Sequence, residues 1–434
     1  MPRNTAARTA RLASIPLGVA GRAVGGWGRR LVGQDADQVS AELSARTAEQ
    51  LFAVLGQLKG GAMKFGQALS VFEAAVPDEM AEPYREALTK LQSAAPPMAS
   101  QTTHRVLAEQ LGRSWRNRFA AFDDTPSAAA SIGQVHRAVW HDGRTVAVKV
   151  QYPGADQALM SDLRQLQRFS RLFQLLVPGT EVKPLLQELT DRMSEELDYR
   201  SEADNQRAFA KEFAGDPHVI VPRVVASSPK VLISEWVDGR PLASIIRDGT
   251  RPERNLAGLR LAEFHYSAPA RVGMLHSDPH PGNFMITEDD RLCVIDFGAV
   301  AQLPDGLPPA HGRMMRLALD GRSRELLELL REENFVLADV RTPEAEHVYA
   351  YLAPFVEPLQ SETFHFTRRW MQKQAMRVGN VRSQDFRTGR SLNLPPQYLL
   401  LHRVLGGSTG ILCQLDAELP VRDLINRWQP GFAS

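Results

Sequence analysis

An aspartate and an asparagine five residues apart, Asp278 and Asn283, stand in the Pro-rich run His276-Ser277-Asp278-Pro279-His280-Pro281-Gly282-Asn283. Two short apolar stretches follow, 283–286 and 292–295, and bracket a polar turn at 287–291. The second stretch runs straight into Asp296-Phe297-Gly298. This order predicts a β-hairpin with an oxygen-bearing turn at each end. Hard divalent cations take such carboxylate and amide oxygens. His276, Asp278 and His280 also admit a zinc reading. A tight Pro-rich turn, however, is a poor scaffold for three convergent ligands.

A second constraint lies upstream. Residues 135–140 and 145–151 are apolar and β-branched around His141-Asp142-Gly143-Arg144, a hairpin turn with the Asp-Gly signature. Before this hairpin stands Ala128-Ala129-Ala130-Ser131-Ile132-Gly133-Gln134-Val135, and its second strand carries Val146-Ala147-Val148-Lys149. The spacing matches the kinase phosphate-covering loop G-x-G-x-x-G-x-V, with alanine at the first two glycine positions and Gly133 at the third. A turn of this kind presents backbone N–H groups to phosphate oxygens, and the lysine adds a point charge. Alanine stiffens the turn, because it disfavours positive φ. Taken alone, an ordinary hairpin with a surface lysine fits as well. Lysine is scarce, however: only eight of the 51 basic residues (59, 64, 90, 149, 183, 211, 230 and 373). With the downstream turns in the right order, Asp278 is expected to accept or orient the nucleophile's proton. Asn283 and Asp296 are then expected to hold Mg²⁺, or Mn²⁺, between phosphate oxygens.

The chain of 434 residues is long enough for several domains. Residues 1–34 carry six arginines and no acid, interleaved with Leu12, Ile15, Leu17, Val24 and Trp27. This is a basic amphipathic segment suited to an anionic membrane surface, to a transit peptide or to a plain tail, and its glycines interrupt any long helix. Residues 35–116 read as a helical extension, 117–240 as a mixed α/β lobe with a helical insertion, and 241–434 as a mainly helical lobe. The expected class is α+β. No stretch reaches the ~18–20 apolar residues needed to cross a bilayer. The nearest candidate, 398–401, stops at His402-Arg403. A net charge of +1 gives no reason to expect nucleic acid as a partner. Two cysteines, Cys293 and Cys413, point to a reducing, cytoplasmic setting, at most peripheral to a membrane.

Taken together, these motifs resemble the UbiB (AarF) family of atypical protein-kinase-like proteins. The resemblance rests on Lys64-Phe65-Gly66-Gln67 as the KxGQ motif, on the alanine loop from Ala128 to Ser131 and on Glu196-Leu197-Asp198 as the ExD motif. The Asp278–Asn283 and Asp296-Phe297-Gly298 turns complete it, and the likeness runs from about residue 43 to 419. It implies a bilobal protein-kinase-like fold with an N-terminal all-helical extension, binding ATP or ADP with Mg²⁺. It further implies that Lys149 meets the phosphates, with Glu202 as its helix partner. Ala128, Ala129, Ala130, Ser131, Gly133, Val135, Glu235 and Val237 would then surround the nucleotide. Lys64, Gly66, Gln67, Glu196 and Asp198 would form an extra layer over the site. An isoprenoid-quinone-like lipid is the implied partner, in quinone biosynthesis or lipid homeostasis.

On a regular helix Glu195, Asp198 and Glu202 share one arc of about 60°, with Glu196 facing away. The segment 299–309 is short and lacks an A-P-E motif, so a peptide-substrate platform is not expected. Two other classes fit the same residues: a nucleotide-gated binding module without turnover, and a small-molecule phosphotransferase.

Overall fold

The computed structural model describes residues 97–130, 132–155, 197–336, 343–380 and 382–433. They divide into two compact units. The first takes the described residues up to Ser201 together with Ala226–Ile233, and the second takes Glu202–Val225 and the described residues from Ser234 onward.

The first unit opens with α1 (Ser100–Leu111), followed by β1 (Phe119–Phe122), β2 (Ala128–Ala130), β3 (Gly133–Trp140) and β4 (Thr145–Gln151). Further along the chain come β5 (Val219–Ile220), β6 (Val224–Ser228) and β7 (Val231–Glu235). The sheet order is β1-β3-β4-β7-β6, with β2 added on β3. At the Asp-Gly turn Gly143 takes φ 92°, a left-handed value that glycine adopts at little cost. The Asp142 carboxylate closes the turn on the Arg144 guanidinium at 2.7 Å. Period-two alternation then buries one face of β4, where Val146, Val148 and Val150 are fully enclosed. Against the sheet lies α1, tied by Gln134, whose amide donates to Thr103 Oγ1 at 3.3 Å while its Oε1 accepts the Met98 N–H.

The run 219–225 reads as one strand in sequence but forms two strands in different sheets. Pro222 has no N–H to donate and interrupts the ladder between them.

The second unit is mainly helical. It contains most of α2 (Tyr199–Glu212), then β8 (Arg240–Pro241), α3 (Leu242–Asp248) and α4 (Arg251–Val272). Gly249-Thr250 separates α3 from α4, and Thr250 and Glu253 cap the longer helix reciprocally. Leu261, Phe264 and Ala268, at i, i+3 and i+7, are fully buried. Four short strands follow: β9 (Met274–His276), β10 (Phe284–Ile286), β11 (Leu292–Val294) and β12 (Val300–Gln302). They form two small sheets, β5-β11-β10-β8 and β12-β9. Beyond them run α5 (Pro309–Leu319), α6 (Ser323–Glu332), α7 (Ala345–Val356), α8 (Arg368–Gly379), α9 (Gln384–Ser391), α10 (Pro396–Leu415) and α11 (Val421–Trp428). This order realises the expected α+β class. Among the described residues no helix is long and apolar enough to cross a membrane.

Candidate active site

In the second unit the Pro-rich run emerges from β9 and is fixed by its own backbone. His280 N–H donates to Asp278 O at 2.8 Å and Asn283 N–H to His280 O at 3.0 Å. This closes a single 3-10 turn over Pro281–Asn283. His280 Nδ1 accepts the Gly282 N–H at 3.0 Å, so that nitrogen is already engaged. Asn283, itself buried, donates through Nδ2 to the Asp278 carbonyl at 3.0 Å and to Asp278 Oδ2 at 3.1 Å. The asparagine thus aims the aspartate. With its amide nitrogen spent, its Oδ1 is the atom suited to a cation.

The predicted hairpin is present, with Phe284 opposite Val294 and Ile286 opposite Leu292. Ile295 N–H donates to Asn283 O at 3.1 Å, which joins the two polar turns at the hairpin base. Asp296 Oδ1 accepts the Gly298 N–H at 2.9 Å, while its carbonyl accepts a hydrogen bond from His276 Nε2. The chain then folds straight back, Val300 pairing with His276, and reaches α5 at Pro309. The segment after the Asp-Phe-Gly turn is therefore as short as the sequence indicates.

Helix α2 supports the same turn. Asn205 Nδ2 donates to the Phe297 carbonyl at 3.1 Å, and the Phe209 ring packs tilted against the Phe297 ring, 4.9 Å between centroids. Glu202, Asn205 and Phe209 are spaced i, i+3 and i+7, so they share one helix face. Glu202 is only 3% exposed. Beneath the turn, the His276 ring lies 5.6 Å from Phe297 and 6.2 Å from His265 of α4. Burial, together with the neighbouring His276, pushes His265 down to about 3, so it is a neutral ring. Its Nδ1 is hydrogen-bonded to Ser408 Oγ at 3.1 Å.

One expectation is corrected. Helix α2 begins at Tyr199, so Asp198 lies outside it and shares no helical arc with Glu202, while Glu195 lies outside the described residues. Asp198 instead caps the start of the helix. Its carboxylate accepts the Arg200 N–H at 2.9 Å and the guanidinium at 2.7 Å, and these bonds hold it below the usual carboxylate range. Lys64, Gly66, Gln67, Ser131, Glu196 and residues 1–34 lie outside the described residues.

In the first unit the alanine-rich run forms an edge hairpin, with Ala128 opposite Val135, Ala129 opposite Gln134 and Ala130 opposite Gly133. A Cβ on Gly133 would lie 2.3 Å from Val150 O, so this position accepts glycine alone without a shift in backbone. Lys149 pairs directly across from Val135, which puts both side chains on one face of the sheet. Its Nζ lies 5.0 Å from the ring centroid of the buried Tyr199, a cation–π contact. Glu235 closes β7 in the second unit. There its N–H donates to Arg223 O at 2.9 Å and its Oε2 accepts the Arg223 N–H at 3.3 Å; Val237 follows half-buried. Tyr199, Asn205 and His265 were not singled out from the sequence. For Asn205 the only available signal was its spacing of three from Glu202.

The donor set fits a hard cation that keeps part of its water. It offers one amide and one carboxylate oxygen, and among the described residues no three His, Cys, Asp or Glu side chains converge as a closed zinc site would need.

Residues 90–320 match the model of the ABC1 atypical kinase-like domain. The mitochondrial atypical kinase coq-8 of Caenorhabditis elegans is 27% identical over 90% of this chain and 52% of its own. The probable protein kinase UbiB of Azotobacter vinelandii is 30% identical over 84% of this chain and 68% of its own. The chain therefore spans 52% of the nematode relative's length and 68% of the bacterial one's. A solved Mycobacterium tuberculosis protein, Rv3197 in complex with erythromycin, is 50% identical, with a TM-score of 0.72 over 92% of this chain and 100% of that one. A family match over more than half the chain, on the residues that build both polar turns and the strand lysine, makes this protein a member of the UbiB family of ABC1 atypical kinases.

Proposed function

We propose that this protein is a Mg²⁺-dependent ATPase or phosphotransferase working beside a membrane, in support of isoprenoid-quinone biosynthesis or lipid homeostasis. The observation that carries the catalytic part is the pair of hydrogen bonds from Asn283 to Asp278. A binding module has no need to aim a carboxylate, whereas proton transfer from an attacking hydroxyl or water needs one oriented and ionised. Asn283 and Asp296 would hold the cation, and Lys149 would meet the phosphates, with Glu202 as its partner. A bound divalent ion supplies charge neutralisation at the transferred phosphoryl group. Asp278 would accept or orient the nucleophile's proton, while His276 and Asn205 keep the Asp296-Phe297 backbone in place. Val135 and the alanine hairpin would cover the nucleotide, and Glu235 and Val237 would line its base.

The quinone and lipid context is drawn from the relatives, and the membrane from the basic segment 1–34. The test is ATP turnover by the purified chain with Mg²⁺, with and without anionic vesicles, beside Asp278→Asn. Turnover that depends on Asp278 is expected. Tight nucleotide binding without turnover would favour the nucleotide-gated binding module instead. That second reading has its own support, because Rv3197, 50% identical over 92% of this chain, is solved in complex with erythromycin. A large lipophilic ligand whose affinity changes with ATP or ADP would be its signature, and an erythromycin titration with each nucleotide measures it.

A further inference from the structure

The segment 368–391, which forms α8 and α9, carries seven cations and a single carboxylate, Asp385. The whole chain is only +1, so the rest of it is net negative. Asp385 is taken up by Arg377 at 3.0 Å. Arg369, Lys373, Arg382, Arg387 and Arg390 are exposed and make no ion pair among the described residues. Elsewhere in the unit many surface arginines are paired, as in Arg240 with Asp248 and Glu253 or Arg251 with Glu418.

Apolar side chains stand among these cations. At 100° per residue, Arg369, Lys373 and Met376 fall within about 60° of one another on α8. Trp370 and Met371, on the other side, pack on the core. Met376 is 65% exposed. Next to it, Arg377 lies over the rings of Tyr351 and Phe355, and Phe355 is 52% exposed. Of the four large apolar side chains that stand exposed among the described residues, Met376 lies on α8, Phe355 of α7 lies against Arg377 of α8, and Leu394 follows the end of α9 by three residues. An outward helix face that alternates cations with a long apolar side chain has little use in water. On an anionic lipid surface the cations reach the headgroups and the apolar tips enter the acyl boundary.

We infer that the α8–α9 face, with Phe355 and Met376 at its tip, is a docking surface for an anionic lipid bilayer. This rests on the membrane reading above and adds a second contact to the one expected from residues 1–34. The cation-rich composition sets the occupant: seven cations against one carboxylate, itself paired with Arg377, suit an anionic headgroup layer.

The test is co-sedimentation of the full chain with vesicles of phosphatidylcholine alone or with about one-third phosphatidylglycerol. The variants are R369E/K373E, Met376→Asp, and R29E/R30E in the basic segment. The wild type should partition onto the anionic vesicles. R369E/K373E should lose about tenfold in partitioning at ordinary salt, and Met376→Asp about threefold, because each removes charge or apolar insertion at the surface. Lipid-free ATP turnover should be unchanged in these variants, since none of the residues belongs to the catalytic set. Equal partitioning of wild type and both α8 variants, with loss only in R29E/R30E, overturns the assignment and leaves membrane association standing. No wild-type sedimentation on either vesicle removes both. Retention on duplex DNA or an acidic polypeptide, without vesicle binding, also overturns it.

Discussion

The two sets of residues proposed to meet the nucleotide are held in different ways. In the second unit each polar side chain is pinned by a short-range bond: Asn283 to Asp278, Asp296 to the Gly298 N–H, His276 to the Asp296 carbonyl. In the first unit Lys149 and Val135 are positioned by strand register and by the space left at Gly133, and the alanines ahead of them stand largely exposed at the edge of the sheet. The first arrangement fixes chemistry. The second leaves room for the covering hairpin to respond to what it covers, and each change below tests one side of that contrast.

The largest effect is expected from Asp296→Asn. It keeps the shape and the Gly298 bond but removes the charge that a divalent cation requires. Mg²⁺-dependent nucleotide affinity and turnover should fall at least about 100-fold, the scale on which transition-state charge stabilisation is lost. Calorimetric titration with and without Mg²⁺ reads this directly, and unchanged metal dependence would remove Asp296 from the role.

Next comes Gly133→Ala. The new methyl would sit 2.3 Å from Val150 O and 3.0 Å from Tyr199 Oη, so the hairpin or β4 must shift. Overpacking of this kind costs about 1–3 kcal/mol. Thermal unfolding should show that loss, together with weaker nucleotide binding. A neutral result would mean that β4 is free to yield there, and the contrast with the second unit would widen.

Acid should act mainly on the second unit. Burial pushes His265 down to about 3 and His311 down to about 4, so both are neutral when folded. The unfolded chain binds more protons than the folded one between those values and the ordinary 6.5. The stability they contribute is therefore complete above about pH 6.5 and drains away as the pH falls towards 4. In the first unit His136 is lowered too, by burial, but a hydrogen bond to the Asp123 carbonyl works against that shift. The melting temperature should drop between pH 7 and 5, less steeply in His265→Gln. An equal slope in wild type and variant would mean that His265 is not the responding group.

Much of this was legible in the sequence because it is local. The Asp142-Gly143 turn, the two strands around it, the Asp278-to-Asn283 spacing and the hairpin leading to Asp296 each depend on residues within a few positions of one another. What was not legible depends on packing over distance. Asn205 reaches the Phe297 carbonyl across 92 positions and His265 reaches Ser408 across 143. The helical placement of Asp198 failed for a third reason. A carboxylate that can cap a helix competes with continuing it, and a helical-wheel argument cannot see which wins. Pro222 splits a run that hydrophobicity alone reads as one strand.

The smallest predicted effect bears most closely on the contrast. Ala130 pairs with Gly133 across the tip of the covering hairpin, where glycine at Ala130 would open left-handed backbone angles and raise the entropic cost of ordering the turn. That cost is roughly 0.5–1 kcal/mol, about a two- to fivefold change in affinity. It should fall unequally on ATP and ADP if the hairpin closes on the terminal phosphate. Parallel titrations of wild type and Ala130→Gly with the two nucleotides give the ratio. If the ratio is unchanged, the exposed alanine edge is only a sheet margin, and the first unit is as rigid in its role as the second.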